Sequence, residues 1–585
     1  MARIAERFVD GNDGTRIAVY EEGNPDGPTV VLVHGWPDSH RLWDGVVPLL
    51  ADKFRVIRYD NRGAGASSVP KKASSYAMPY FADDFAAVID EVCPSERVHV
   101  VAHDWGSAGM WEYVARPDAA DRVASFTSVS GPSADHVSRY VRDGLKQPYR
   151  PRRLAHALSQ AGHLSYMAGL SVPVLAPAFM RAGAKSLRRS LIRGIPREKT
   201  HYGDTFVTDA ANGTNIYRAN FFRSVGRATR DRPVQVPVQV IVNLDDPYVR
   251  PHVYDDTARW VPRLWRRDIK AGHWSPFSHP QVLAVAVTEL AEHLDGKPAT
   301  RALLRAQADR PRKPFGDTLV SVTGAGSGIG RETALAFARE GAELVVSDIN
   351  EAAVKETADR IAAHGGIAHP YVLDVSDAEA VERFADEVCN AHGVPDIVVN
   401  NAGIGMVGGF LDTPAEQFDR VLDVNLGGVV NGCRAFARRL VDRGTGGHIV
   451  NVASMAAYAP MGSMSAYCTS KAAVYMFSDC LRAELDAAGV GLTTICPGVI
   501  NTNIVSTTAF HVPEGRRTKV PGRRAQVEKM FAARNYGPDK VATAILAAVR
   551  KNTPIRPVSP EAYLVYGTSR LAPQALRSTA RTKVV

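Results

Sequence analysis

Short apolar runs bounded by glycine, aspartate or proline recur along this chain, separated by stretches with helical spacing. In the first half these runs are residues 29–35 (TVVLVHG), 54–60 (FRVIRYD), 97–104 (RVHVVAHD) and 236–245 (VPVQVIVNLD). Their β-branched content and short length predict strands of a largely parallel sheet buried on both faces. From about 131 to 232 the strand pattern is lost and Arg, Leu and Ala dominate, which predicts a helical cap at about 132–232. A second series follows, at residues 318–324, 342–348, 396–403, 447–454 and 492–498. Two alternating series predict two doubly wound α/β units, over residues 1–295 and 317–585. The charged, proline-bearing stretch 296–316 (GKPATRALLRAQADRPRKPFG) between them reads as a linker.

Composition agrees with this division. A chain of 585 residues exceeds what one ordinary core accommodates. Its 70 Lys+Arg against 61 Asp+Glu leave a formal charge of +9, gathered in a few stretches, so nucleic-acid binding is not predicted. The six cysteines form no CxxC pair and sit mostly in apolar runs, as buried thiols of a reducing compartment do. The first residues lack the apolar region of a secretion signal, and no apolar run reaches about 18 residues. A cytoplasmic protein is the resulting expectation.

Candidate chemistry begins where residues 97–104 run into Asp104-Trp105-Gly106-Ser107. Small residues on both sides, Ala102 and Gly106, suit a sharp strand-to-helix elbow. A carboxylate at that elbow is ionised at neutral pH and can displace a leaving group from saturated carbon, forming an enzyme ester. Releasing that ester needs a base, and His273 in AGHW is the candidate, with Asp246 or the adjacent Asp245 to orient it. The order Asp, acid, His matches the Ser…Asp/Glu…His order of α/β-hydrolases. Backbone N–H groups of Trp36 and Trp105 are placed to form an oxyanion hole.

The motifs HGWP, HDWG, DDPY and AGHW, spread from about 34 to 276, resemble the epoxide hydrolase branch of the α/β-hydrolase family. That resemblance implies two cap tyrosines that donate hydrogen bonds to the epoxide oxygen; the best matches are Tyr217 and Tyr166. The family often has Trp where Ile216 stands. Haloalkane dehalogenases share the Asp and His but commonly carry Asn where Trp36 stands, and they lack the tyrosine pair.

In the second half, a strand leads into Thr323-Gly324-Ala325-Gly326-Ser327-Gly328-Ile329-Gly330 and then a helix, the arrangement that cradles a pyrophosphate. Asp348 ends the next strand, where a carboxylate accepts ribose hydroxyls and repels a 2′-phosphate; NAD is favoured over NADP. Tyr467 and Lys471, at i and i+4, share a helix face, and an ammonium there makes phenolate accessible as a base. Ser454 ends a preceding strand. TGAGSGIG, NNAG at residues 400–403, Asn425, Ser454, YCTSK and Pro497-Gly498 followed by Thr502 resemble the short-chain dehydrogenase/reductase family. The resemblance implies cofactor contacts from Gly324, Ser327, Gly328, Ile329, Gly330, Asp348, Asp374, Asn401, Tyr467, Lys471 and Thr502. It implies catalytic roles for Asn425, Ser454, Tyr467 and Lys471, with Asn425 holding a water linked to Lys471, and assembly as a homo-oligomer. No metal site is predicted.

Two stretches invite further readings. Residues 164–180 are apolar and the basic residues 181–193 follow them: either a channel wall with a solvated outer face, which is favoured, or a peripheral membrane contact at the inner membrane face. Residues 514–526 are basic where the dehydrogenase family has a substrate lid, and 578–585 read as a disordered tail. The whole arrangement resembles bacterial, actinobacterial-type fusions of an epoxide-hydrolase-like domain with a short-chain dehydrogenase, which implies hydrophobic or lipid-like small-molecule substrates. The expectation is a bifunctional enzyme. The alternatives are a dehydrogenase whose hydrolase-like half binds lipid or acts as a scaffold, and a dehalogenase–dehydrogenase fusion.

Overall fold

A computed structural model describes residues 5–226, 232–502, 507–512, 520–534 and 536–579. It divides into two units, residues 1–310 and 311–585. The proposed lid stretch 514–526 falls partly, and the tail 578–585 mostly, outside the described residues.

The first unit is built on strands β1 (Ala5–Asp10), β2 (Arg16–Gly23), β3 (Thr29–Val33), β4 (Arg55–Tyr59), β5 (Val98–His103), β6 (Val123–Val129), β7 (Val238–Asn243) and β8 (Leu264–Ile269). Their order across the sheet is β1-β2-β4-β3-β5-β6-β7-β8. The first two strands join antiparallel and the rest run parallel. Apolar clusters cover both faces, one around Phe85, Ile89 and Trp111, the other around Trp43, Leu50 and Val287. Every residue of β3, β5 and β7 is buried, which is why those strands are dominated by apolar, mostly β-branched residues. The strands the pattern did not predict depart from it. β6 (VASFTSV) is buried, but Ser125 and Thr127 hydrogen-bond His99 and Gln239. Edge strand β8 (LWRRDI) carries Arg267, buried against Glu289 and Gln239. Among the described residues between β6 and β7 the regular elements are helices, from Ala134–Leu145 to Thr214–Gly226.

Residues 296–316, predicted as a linker, contain one short helix. Arg301–Ala306 is a helix capped by Thr300, and Leu303 and Ala306 pack with Trp265 and Leu290 of the first unit. The Ala308 N–H continues the contact by donating to the Leu264 carbonyl. Phe315 is buried in the core of the second unit instead. The charged residues concealed these few apolar anchors.

The second unit contains β9 (Leu319–Thr323), β10 (Glu343–Asp348), β11 (Ala368–Val372), β12 (Ile397–Asn400), β13 (Met406–Gly408), β14 (Gly447–Val452), β15 (Val490–Pro497), β16 (Ala509–His511) and β17 (Ile555–Val558). The main sheet runs β11-β10-β9-β12-β14-β15-β17, all parallel. Its strand order reverses between β9 and β12, the switch point at which such sheets open a ligand crevice. Short strands β13 and β16 pair at its rim. The edge strands β11 and β17 escape prediction because each is short, half-exposed and contains proline.

Candidate active sites

At the end of β5 the backbone turns so sharply into helix Asp104–Val114 that Asp104 takes a left-handed conformation, φ +50°. A non-glycine residue there is strained, and strain of this kind is kept where it aims a side chain. Gly106 makes the turn feasible: a Cβ on it would lie 2.1 Å from the His34 carbonyl oxygen. The Trp36 N–H donates to Asp104 Oδ2 at 2.9 Å, and the Trp105 N–H also reaches this carboxylate. His273 Nε2 stands 3.6 Å from Asp104 Oδ1, an ion-pair distance rather than a hydrogen bond. On its other side, His273 Nδ1 is 2.7 Å from Asp246 Oδ2. Asp246 is buried and its Oδ1 accepts the N–H groups of Tyr248 and Val249; Asp245 is exposed and takes no part in this alignment.

Electrostatics follow from this alignment. Burial works against a charged His273, but the Asp246 and Asp104 carboxylates outweigh it and raise the imidazole to about 10. Burial likewise raises Asp104, yet His273 and the Trp105 N–H pull it below the ordinary carboxylate range. The resting pair is therefore carboxylate and imidazolium.

Both cap tyrosines face this pair. Tyr217 is buried, its ring edge-on to Trp36 and Trp105 with centroids 5.2 and 5.3 Å away. Tyr166 lies 5.9 Å from it, centroid to centroid, and the two hydroxyls interact. Burial, with the neighbouring Asp104 charge, holds both phenols well above their ordinary value, so they remain proton donors. Sequence reasoning did not single out Asp38, Tyr248 or His103. Asp38 is buried, accepts Trp274 Nε1–H at 3.1 Å and is pushed up to about 8 by burial. Tyr248 packs between His273 and Tyr166. His103 Nε2 reaches the His273 carbonyl at 3.0 Å. A lone Asp two residues after Trp36 had no partner along the chain to mark it.

The second unit has a cleft of 740 Å³ at its switch point, running from Asp348 and Asp374 past the glycine turn to Ser454, Tyr467 and Lys471. Gly324 and Gly328 take positive φ, and a Cβ on Gly330 would lie 2.1 Å from the Gly324 carbonyl oxygen. The turn opens onto the free N–H groups of helix Gly328–Arg339. Asp348 accepts the Gly326 and Asn350 N–H groups, which fixes its carboxylate beside the turn with lone pairs to spare. Such a cradle fits a dinucleotide. Asp374, also lining the cleft, is exposed and bonded to Ser376. Ile329 and Thr502 line the same wall.

Tyr467 is half-buried, and desolvation raises its phenol, while a hydrogen bond with Ser454 opposes the rise. Lys471 Nζ lies 5.9 Å from the Tyr467 ring centroid and donates to the Val452 carbonyl at 3.0 Å. Burial lowers its ammonium to about 8. Two asparagines brace the site, Asn401 among the residues that line the cleft. Asn401 ties the glycine turn through Thr323 O and Gly324 O. Asn425, in a π-helical turn at Asp423–Gly427, bonds both backbone groups of Ile404 and the Ser470 hydroxyl. Met455, Met461 and Met464, also unforeseen, give the substrate end an adaptable apolar lining.

Residues 28–280 match the alpha/beta hydrolase fold family and residues 318–511 the short chain dehydrogenase family. "Probable oxidoreductase EphD" of Mycobacterium tuberculosis is 70% identical over 584 residues, 99% of each chain. This chain belongs to that family of fused hydrolase-fold and short-chain dehydrogenase proteins. A family member's two halves keep different company. The dehydrogenase half is 31% identical over 243 residues to the C alpha-dehydrogenase of a Sphingobium species, across 41% of this chain and 80% of that one. A short chain dehydrogenase/reductase of Burkholderia phymatum, solved in complex with NAD, is 30% identical over 46% of this chain and 97% of its own, with a TM-score of 0.41. The family thus couples an α/β-hydrolase unit with an oxidoreductase unit of the NAD(P)-binding type.

Proposed function

We propose that the chain hydrolyses epoxides to vicinal diols in its first unit and carries out NAD-dependent alcohol or carbonyl oxidoreduction in its second, on hydrophobic substrates. The observation that carries the first reading is the alignment Asp104–His273–Asp246 beneath two protonated phenols. Asp104 Oδ1 attacks an epoxide carbon, the carbon–oxygen bond breaks, and the alkoxide takes a proton from Tyr166 or Tyr217. Oδ2 stays on the Trp36 N–H, and the Trp105 N–H also reaches the carboxylate, so both can hold the negative charge of the next step. Esterification removes the Asp104 charge, and His273 loses one of the two carboxylates that kept it protonated. Its Nε2 proton returns the tyrosine phenolate to phenol, and the neutral Nε2 then takes a proton from the water that attacks Asp104 Cγ. The Cγ–O ester bond breaks with the new hydroxyl's proton passing to the departing alkoxide, and diol, carboxylate and imidazolium result. Two phenols over the nucleophile favour an epoxide over a haloalkane, because a departing halide needs no proton.

In the second unit, Asp348 supports NAD over NADP, since a carboxylate beside the glycine turn would accept ribose hydroxyls and repel a 2′-phosphate. The bound nicotinamide would accept or supply hydride. Ser454 holds the substrate oxygen, Tyr467 moves its proton, and the Lys471 ammonium stabilises the phenolate. The apolar methionine lining supports a hydrophobic substrate.

Mass spectrometry of long-chain epoxides with wild type, Asp104→Asn and His273→Gln tests the assignment. Diol from the wild type alone, and a peptide containing Asp104 heavier by the epoxide mass in His273→Gln, are the expected results. Absence of diol with every epoxide, together with halide release from haloalkanes, would overturn the first assignment. Adding NAD then shows whether the diol is itself consumed.

A further inference from the structure

The cap offers a surface that the proposed reactions do not use. No Asp, Glu, Lys or Arg occurs between Arg153 and Arg181; the next nineteen residues, 181–199, then hold seven Lys+Arg against one Glu. Folding does not bury the whole apolar stretch. The helix Leu175–Leu191 turns Ala176, Met180, Ala184 and Leu191 inward, while Leu175 and Phe179, one turn apart, are each 69% exposed. Val174, just before it, is 77% exposed, and Val172 also lies outside. The outer face of this wall is exposed, as favoured from sequence, and apolar at Val172, Val174, Leu175 and Phe179.

Backbone geometry holds the tip of this surface out. Val174 has φ +64° and ψ −50°, and the Leu175 N–H donates to the Pro173 carbonyl across it at 2.6 Å. That is a γ-turn of the strained hand, costly for a β-branched residue. The segments Pro151–Leu170 and Leu175–Ala184 are together apolar enough for a membrane span but bend by 96° at this tip. Among the described residues no single helix is long and apolar enough to cross a membrane. Beyond the apolar half of helix Leu175–Leu191, Arg181, Arg188 and Arg189 are exposed, and Arg193 and Arg197 follow just after it.

We propose that this face of the cap docks on an anionic lipid bilayer, with Val174, Leu175 and Phe179 entering the acyl boundary and the arginines binding headgroup phosphates. Charge decides the occupant. An apolar tip beside a cluster of cations and a single acid matches a negatively charged interface, whereas a second copy of the chain would bring cation against cation. The inner side of the same wall, Tyr166, Met167, Leu170 and Met180, packs with Trp36 and Tyr217 at the first site. One layer of cap thus separates the bilayer from Asp104, and an apolar substrate dissolved in lipid would reach the site without crossing water.

Co-sedimentation of the full chain with phosphatidylglycerol and phosphatidylcholine vesicles tests the docking and needs no turnover, so it stands or falls apart from the hydrolase assignment. The wild type is expected to bind phosphatidylglycerol vesicles and to release them in high salt. Leu175→Glu/Phe179→Glu and Arg188→Glu/Arg189→Glu should each weaken partitioning by about tenfold or more. Val285→Glu, at an exposed apolar residue elsewhere on the first unit, should bind like wild type with an unchanged melting temperature. Equal binding by all variants, or none by the wild type at low salt, would overturn the proposal. So would a concentration-dependent dimer that the Leu175/Phe179 change abolishes while vesicles remain unbound.

Discussion

His273 lies between two carboxylates, and the consequence is measurable at the level of one residue. Its folded value, about 10, stands above the ordinary ~6.5 of histidine. A raised value means the imidazolium stabilises the fold fully below about pH 6.5, and that contribution is lost as pH rises through about 10. His273→Gln leaves Asp104 and Asp246 without their cation, so the variant should melt lower than wild type near pH 6. The gap should close as pH rises toward 10; calorimetry across that range checks it. A gap constant with pH would mean that His273 is neutral in the resting protein. Asp38, pushed up to about 8 by burial and pulled down by the His273 charge, titrates within the same range.

At the scale of elements, both sites depend on a turn that admits no side chain. The Gly106 turn aims Asp104, and the Gly330 turn lets helix Gly328–Arg339 approach the preceding strand. A methyl at Gly330 would meet the backbone oxygen of Gly324, which cannot move aside as a flexible side chain could. Gly330→Ala should therefore weaken NADH binding by about tenfold or more, about 1.4 kcal/mol. Fluorescence titration measures it, and an unchanged affinity would show that the turn does not shape the cofactor site. The elbow is legible in the sequence because strand, small residues and helix follow one another. Asp38 and Tyr248 stand two residues from Trp36 and Asp246, but nothing along the chain shows that Asp38 meets Trp274 or that Tyr248 packs between His273 and Tyr166.

Over the whole molecule, the division into residues 1–310 and 311–585 departs from the composition of the connecting stretch. Leu303 is fully buried against Trp265 and Leu290, which contributes about 2–3 kcal/mol to the first unit. A fragment ending at residue 310 should consequently melt higher than one ending at 296, with diol formation retained in both. Equal melting temperatures would mean that the Arg301–Ala306 helix adds nothing to the first unit.

What the sequence by itself determined is every feature carried by neighbours along the chain: the two alternating series, the elbow at Asp104, the glycine turn, and the i, i+4 pair Tyr467 and Lys471. These are local because the backbone geometry that makes each of them spans only a few residues. Tertiary structure alone decided the rest. It chose Asp246 over Asp245 by burying one and exposing the other, and it stacked the two cap tyrosines over a nucleophile at least sixty residues away. It filled β6 and β8 with polar side chains whose partners lie on other segments. It also left Leu175 and Phe179 outside while burying Met180 between them and the core. Each of these outcomes depends on which segments meet in space, and an apolar or charged residue carries no mark of that along the chain.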